Sequence, residues 1–182
     1  MVRKRRVIVV NQRDEVIGYK LDEDLLSTDI YRVSALWLTN SKKEVLLAQR
    51  AFSKSHDPEK WGPAVAGTIE EGETYEQNMV KEIEEELGLT GIKLKLGPKL
   101  ERKTKYHYFV QWFFATLDKP ANSFKIQKEE VEQVKWISKK QLTKELQPTC
   151  LAGANGIIKQ KKIKPFIMKL LFTEFLYMEN CP

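Results

Sequence analysis

Over most of the chain the apolar residues come in short β-branched and aromatic runs separated by turn-forming clusters, the pattern of strands rather than helices. Residues 7–10 form one run and residues 16–21 the next. With Asn11 to Asp14 as the turn, they predict an N-terminal hairpin. Residues 31–39 and 45–49 predict a second hairpin, because Asn40, Ser41 and two lysines separate them. From 51 to 63 the composition turns polar, which predicts a loop, and loops tend to carry function. Residues 65–69 then read as a strand that Glu70, Glu71 and Gly72 break.

The period changes at Thr74. Val80, Ile83 and Leu87 recur at helical spacing, Thr74 can cap the start and Gly88 is placed to end the helix. Further strands are expected over 92–96, 106–117 and 131–137, after which Ser138 caps a short helix through residue 146. A last amphipathic helix is expected over 165–177, beyond an irregular stretch at 147–164. Strands outnumber helices and the two are interspersed. The expected class is therefore α+β, one domain with a mixed β-sheet flanked by helices.

Composition narrows the picture only a little. A chain of 182 residues with 42% hydrophobic and 10% aromatic content can bury a core, and no apolar run is long enough to span a bilayer. The basic opening Arg3 to Arg6 resembles the start of a signal peptide, but the apolar run after it is too short. Lys plus Arg exceed Asp plus Glu by 31 to 25, a net charge of +6 that favours anionic partners without choosing among them. Cys150 and Cys181 lie in no CxxC pair, so zinc and redox chemistry are not indicated and a reducing cytoplasm is the expected compartment.

The candidate chemistry sits on the helix from Thr74. Residues three and four apart share a helical face, so Glu82, Glu85 and Glu86 are expected to converge on the side opposite Val80, Ile83 and Leu87. Carboxylates one turn apart repel, and a hard divalent cation reverses that cost. Oxygen-only ligands suit magnesium, with manganese as the substitute. A solvated acidic face is the alternative reading of the same residues.

The surroundings of the helix favour the metal. Gly67, Glu73, Lys81, Glu82, Ile83, Glu85, Glu86, Gly88 and Leu89 stand at the spacing of the Nudix box, and Lys81, where the motif has arginine, is the one departure. The chain resembles the Nudix hydrolase superfamily over that stretch. The resemblance implies a Nudix fold, an α/β/α sandwich, and a magnesium-dependent hydrolase that cleaves a diphosphate linkage in a nucleoside diphosphate derivative or related diphosphate. By position it assigns Gly67, Glu82, Glu85 and Glu86 to the metal, with Glu85 the first choice as catalytic base and Glu82 beside it. It makes Glu73 and Lys81 an ion pair bracing the loop to the helix, with Gly88 structural. Lysine keeps the charge of the missing arginine but loses its planar two-pronged contact.

Outside residues 67–89 the chain resembles the branch that contains the type 1 isopentenyl-diphosphate isomerases, through residues 35–40, Arg50 to Lys54, Trp61, residues 129–132 and Lys135–Trp136. That resemblance implies that Arg50 and Lys54 grip the substrate diphosphate. It also exposes a departure, since the isomerase cysteine falls on Ala66 and its histidines on Thr68 and Tyr31. A proton-shuttling isomerase cannot run on a methyl group, so hydrolysis is the leading expectation. An isomerase-like enzyme and a catalytically weak nucleotide- or RNA-binding module, the latter motivated by the lysines at 159–164, remain the alternatives. The partner expected is a small-molecule diphosphate rather than a membrane or a nucleic acid, acting on a monomer or homodimer. The expected layout is a hairpin at 1–27, a core at 28–146 containing the box at 67–89, and a helical extension at 147–182.

Overall fold

The computed structural model describes residues 5–54 and 57–146. The expected helix at 165–177, the extension 147–182, His56 and both cysteines lie outside the described residues. Nine strands and two helices follow one another: β1 (Arg6–Val10), β2 (Val16–Leu21), β3 (Ile30–Thr39), β4 (Val45–Arg50), β5 (Trp61–Gly62), β6 (Val65–Thr68), α1 (Tyr75–Leu87), β7 (Lys95–Lys103), β8 (His107–Thr116), β9 (Val131–Ile137) and α2 (Lys139–Leu146).

β3 organises the sheet. Its last six residues are all buried, the pattern of a strand covered on both faces. β8 lies parallel to it along its full length, from Ile30 beside His107 to Thr39 beside Thr116. Three shorter strands share its other edge in turn: β1 at Tyr31, β6 at residues 33–36 and β4 at Thr39 alone. The expected second hairpin is thus corrected to a single residue pair. β4 leaves β3 after that pair and joins β5 and β9 instead. The gap that opens between β6 and β4 is where the functional residues gather.

The N-terminal hairpin forms as expected. Asn11 Oδ1 accepts from the amides of Arg13 (2.8 Å) and Glu15 (3.1 Å), and Asp14 takes a positive φ of 60°, a conformation short polar residues tolerate. The strand expected at 92–96 runs instead from Lys95 to Lys103. Its sequence has no period to read. It is an edge strand made by pairing with β8, and it slips register between Leu96 and Lys99, where Pro98 has no amide to donate.

Two apolar layers sandwich the sheet. Leu36, Leu38, Val65 and Phe113 pack under Met79, Ile83 and Leu87 of α1, and on the other side Trp37, Leu47 and Trp112 pack with Leu142 of α2. Val80, expected in the core, is 50% exposed. Met79 takes its place, since Met79, Ile83 and Leu87 repeat at four residues and follow one side of the helix. Among the described residues no helix is long and apolar enough to cross a membrane.

Candidate active site

The loop after β6 enters α1 through a capping box. Thr74 Oγ1 accepts from the amide of Gln77 (3.2 Å), and Gln77 Oε1 accepts from the amide of Thr74 (2.9 Å). At the other end Gly88 adopts the left-handed conformation, φ 63° and ψ 36°, and its amide returns to Glu84 and Ile83. Both ends are therefore fixed where the sequence placed them, and the register of the glutamates follows.

Alongside its apolar side, α1 buries a polar stripe of Asn78, Glu82 and Glu86, each four residues from the next. Glu82 and Glu86 are only 8% and 7% exposed, whereas Glu85 is exposed at the margin of the stripe. Burial raises the Glu82 carboxyl above its ordinary range, opposed by Lys81 and Arg5 and reinforced by Glu85 and Glu130. Burial raises Glu86 further, with Glu82 and Glu130 adding and Arg50 and Lys54 opposing. Two carboxylates are thus held side by side out of water, with two cations on the nearby loop.

Gly67 completes this arrangement. A Cβ added there would collide with Cγ, Cδ and Oε1 of Glu82, so the backbone of β6 lies directly on the glutamate. Only glycine permits that approach. The donor chemistry fits a hard cation: oxygen atoms alone, mutually repelling carboxylates, and a strand backbone at contact distance. Among the described residues no three acidic, histidine or cysteine side chains close around one point. Glu82 and Glu86 are the pair that the fold brings together, with Glu85 and Glu130 beside them.

Lys81 and Glu73 meet as an ion pair, Nζ to Oε1 at 2.6 Å. Lys81 also reaches Glu70 (3.1 Å) and stands 3.8 Å from Glu82. Glu73 Oε2 accepts from the Glu70 amide and from Asn78 Nδ2, both at 2.9 Å. These bonds outweigh burial and hold the Glu73 carboxyl below its ordinary value. Asn78 is the residue that sequence reasoning missed. It accepts from Ser34 Oγ at 2.6 Å and so ties the loop, the helix and β3 together. Its only signal was a polar residue one turn before Glu82.

Two further placements differ from a simple solvated surface. Arg5 and Arg6, from the basic N-terminal cluster, pair with Glu70 (3.5 Å) and Glu71 (2.7 Å) in the loop before α1. Lys54 pairs with both oxygens of Glu130, at 2.7 and 2.6 Å, and the amide of Ala51 donates to the Glu130 carbonyl at 3.0 Å. The loop carrying Arg50 and Lys54 is thereby pinned to the start of β9. His107 meets Glu101 at 2.7 Å and takes no part in the site.

The model of the Nudix domain matches residues 30–155. An uncharacterised Nudix hydrolase of Listeria monocytogenes is 28% identical over 143 residues, 74% of this chain and 80% of that one. An isopentenyl-diphosphate Delta-isomerase of Klebsiella pneumoniae is 29% identical over 85 residues, 46% of each chain, which makes the isomerases a related branch. A crystal structure from Deinococcus radiodurans superposes with a TM-score of 0.74 at 22% identity, covering 92% of this chain and 98% of that one, and so shares its fold. With the domain model spanning more than half of the residues, the chain belongs to the Nudix hydrolase family.

Proposed function

We propose that this protein is a magnesium-dependent pyrophosphohydrolase that cleaves a nucleoside diphosphate derivative between its phosphorus atoms, with the whole chain as one domain. The observation that carries the reading is the buried Glu82–Glu86 pair against the backbone of Gly67, flanked by Arg50 and Lys54. Gly67, Glu82, Glu85 and Glu86 would hold the cation. When bound, it neutralises phosphate oxygens and makes water more acidic.

The chain's own residues supply the rest. Arg50 and Lys54 bind the anionic diphosphate, the planar guanidinium as a fork and the ammonium as a point charge. Lys54 leaves Glu130 to do so. Glu85 is exposed where water has access, and it takes the proton of the attacking water. Glu73, Lys81 and Asn78 hold the loop against the helix, so that Gly67 keeps its contact with Glu82. Cytoplasmic residence accords with a chain whose two cysteines form no disulfide framework.

The test is phosphate release from nucleoside diphosphate derivatives, nucleotide sugars and prenyl diphosphates, comparing wild type with Glu85→Gln and Glu86→Gln in magnesium. Wild-type turnover that both substitutions remove supports the reading. Equal release by all three proteins sinks it. The isomerase alternative has a specific observation against it: Ala66, Thr68 and Tyr31 provide no thiol or imidazole. Proton exchange from isopentenyl diphosphate in deuterated buffer would restore that alternative.

A further inference from the structure

The sheet face opposite α1 is covered by α2 only at one end. There Leu142 packs on Trp37 and Trp112. At the other end of the same face Tyr31, Val33, Tyr108 and Arg102 are all half-exposed. Strand register places three of them in one row: Tyr31 of β3 beside Tyr108 of β8, and Tyr108 beside Arg102 of β7. The two tyrosine rings stand 5.5 Å apart, tilted by 32°. Val33 and Leu100 extend the row toward the apolar layer and pack against it. Asp57, on the loop that carries Lys54, acts electrostatically on Tyr108, and so stands beside this floor.

The floor adjoins the site already described. Val33 pairs with Thr68 and Ser34 with Gly67 in β6. At about 3.3 Å per residue, Tyr31 lies roughly 10 Å along β3 from the Gly67 row. That separation suits a substrate whose diphosphate sits at the glutamates while its second moiety reaches the tyrosines. The chemistry of the floor then selects the moiety. Paired aromatic faces and a guanidinium plane suit a flat, polarisable ring with hydrogen-bond acceptors on its edge. A branched alkyl chain laid there would cover two phenol hydroxyls and a charged group without returning a hydrogen bond, which is unfavourable.

We propose that Tyr31, Tyr108 and Arg102 form the recognition floor for the base of a nucleoside diphosphate substrate, the two rings stacking on it and the guanidinium donating to its edge. The assignment rests on the hydrolase reading above and specifies which part of the chain chooses the substrate. It also accounts for the isomerase departure: the position of an isomerase histidine carries Tyr31 in this chain, which offers the base a stacking surface in place of a proton relay.

The experiment compares wild type, Tyr108→Leu and Arg102→Met, which keep apolar bulk at both positions, on ADP, CDP and methyl diphosphate. Affinities of the metal-free proteins for ADP are read in parallel by calorimetry. One stacking contact corresponds to about 10- to 100-fold in binding by ring removal. Tyr108→Leu is expected to lose that factor in kcat/KM and in affinity for ADP and CDP, chiefly through KM, while its turnover of methyl diphosphate stays at the wild-type value. Equal losses on all three substrates, or wild-type affinity for ADP in both variants, overturn the floor. If wild type cleaves none of the three but its ADP affinity still falls with Tyr108→Leu, the hydrolase reading fails and the floor stands.

Discussion

At the scale of single residues the buried glutamates make the sharpest claim. Burial raises both Glu82 and Glu86, so the folded metal-free protein holds protons there that the unfolded chain gives up near its ordinary carboxylate value. A raised carboxyl stabilises the fold only while protonated. Its contribution is complete below the unfolded value and is lost as pH rises through the folded one. Glu86→Gln should therefore raise the melting temperature of the metal-free protein at pH 8 and change it little at pH 5, while abolishing magnesium-dependent turnover. A larger gain at pH 5 than at pH 8 would contradict the burial argument. Gly67 makes a second claim at this scale, because any side chain there displaces Glu82. Gly67→Ala should lower kcat by more than tenfold, on the order of an active-site displacement of 1 Å, with far-ultraviolet circular dichroism unchanged. Full activity in that variant would mean that the close approach has no bearing on the site.

At the scale of elements, α1 is positioned by its ends and by its loop. The Thr74–Gln77 capping box satisfies two of the free amides of the first turn. Thr74→Ala should cost about 1 kcal/mol, or about 2–4 °C in melting temperature for a chain of this size; a change within error would show that tertiary contacts alone hold the helix start. The Lys81 brace reaches Glu73 and Glu70 together, more than the single pair expected. Because Lys81 remains 30% exposed, the pairs contribute at most about 1 kcal/mol. Lys81→Arg should keep or modestly raise kcat, and Lys81→Ala and Glu73→Gln should each lower it. If Lys81→Ala instead raises KM while Glu73→Gln leaves activity untouched, Lys81 contacts the substrate and is no brace. The helix, its caps and the paired charges were all legible in the sequence, because each depends on residues within a few positions of one another. The second hairpin and the strand at 92–96 were misplaced because strand pairing is decided by distant partners, β8 and β9, that no local pattern names.

At the scale of the whole molecule, a site built from buried like charges links metal binding to stability. A cation that binds only the folded protein raises its unfolding free energy by about 2.7 kcal/mol at a hundredfold excess over Kd, or roughly 5–10 °C here. Magnesium should produce such a shift in wild type and none in the Glu82→Gln, Glu86→Gln double variant; equal shifts in both would place the cation elsewhere. The sequence by itself determined the helix, its two ends, the glycine and glutamates at their spacing, and the α+β class, since turn chemistry, period and capping act over short range. Only the tertiary structure decided which of the three glutamates are buried, that Asn78 and Ser34 lock the loop to β3, that Arg5 and Glu130 stand near the carboxylates, and that Tyr31, Tyr108 and Arg102 share one row. Those facts depend on where β3, β4 and β8 lie in the sheet. Residues brought together by strand order share no spacing along the chain, so only the folded sheet reveals them.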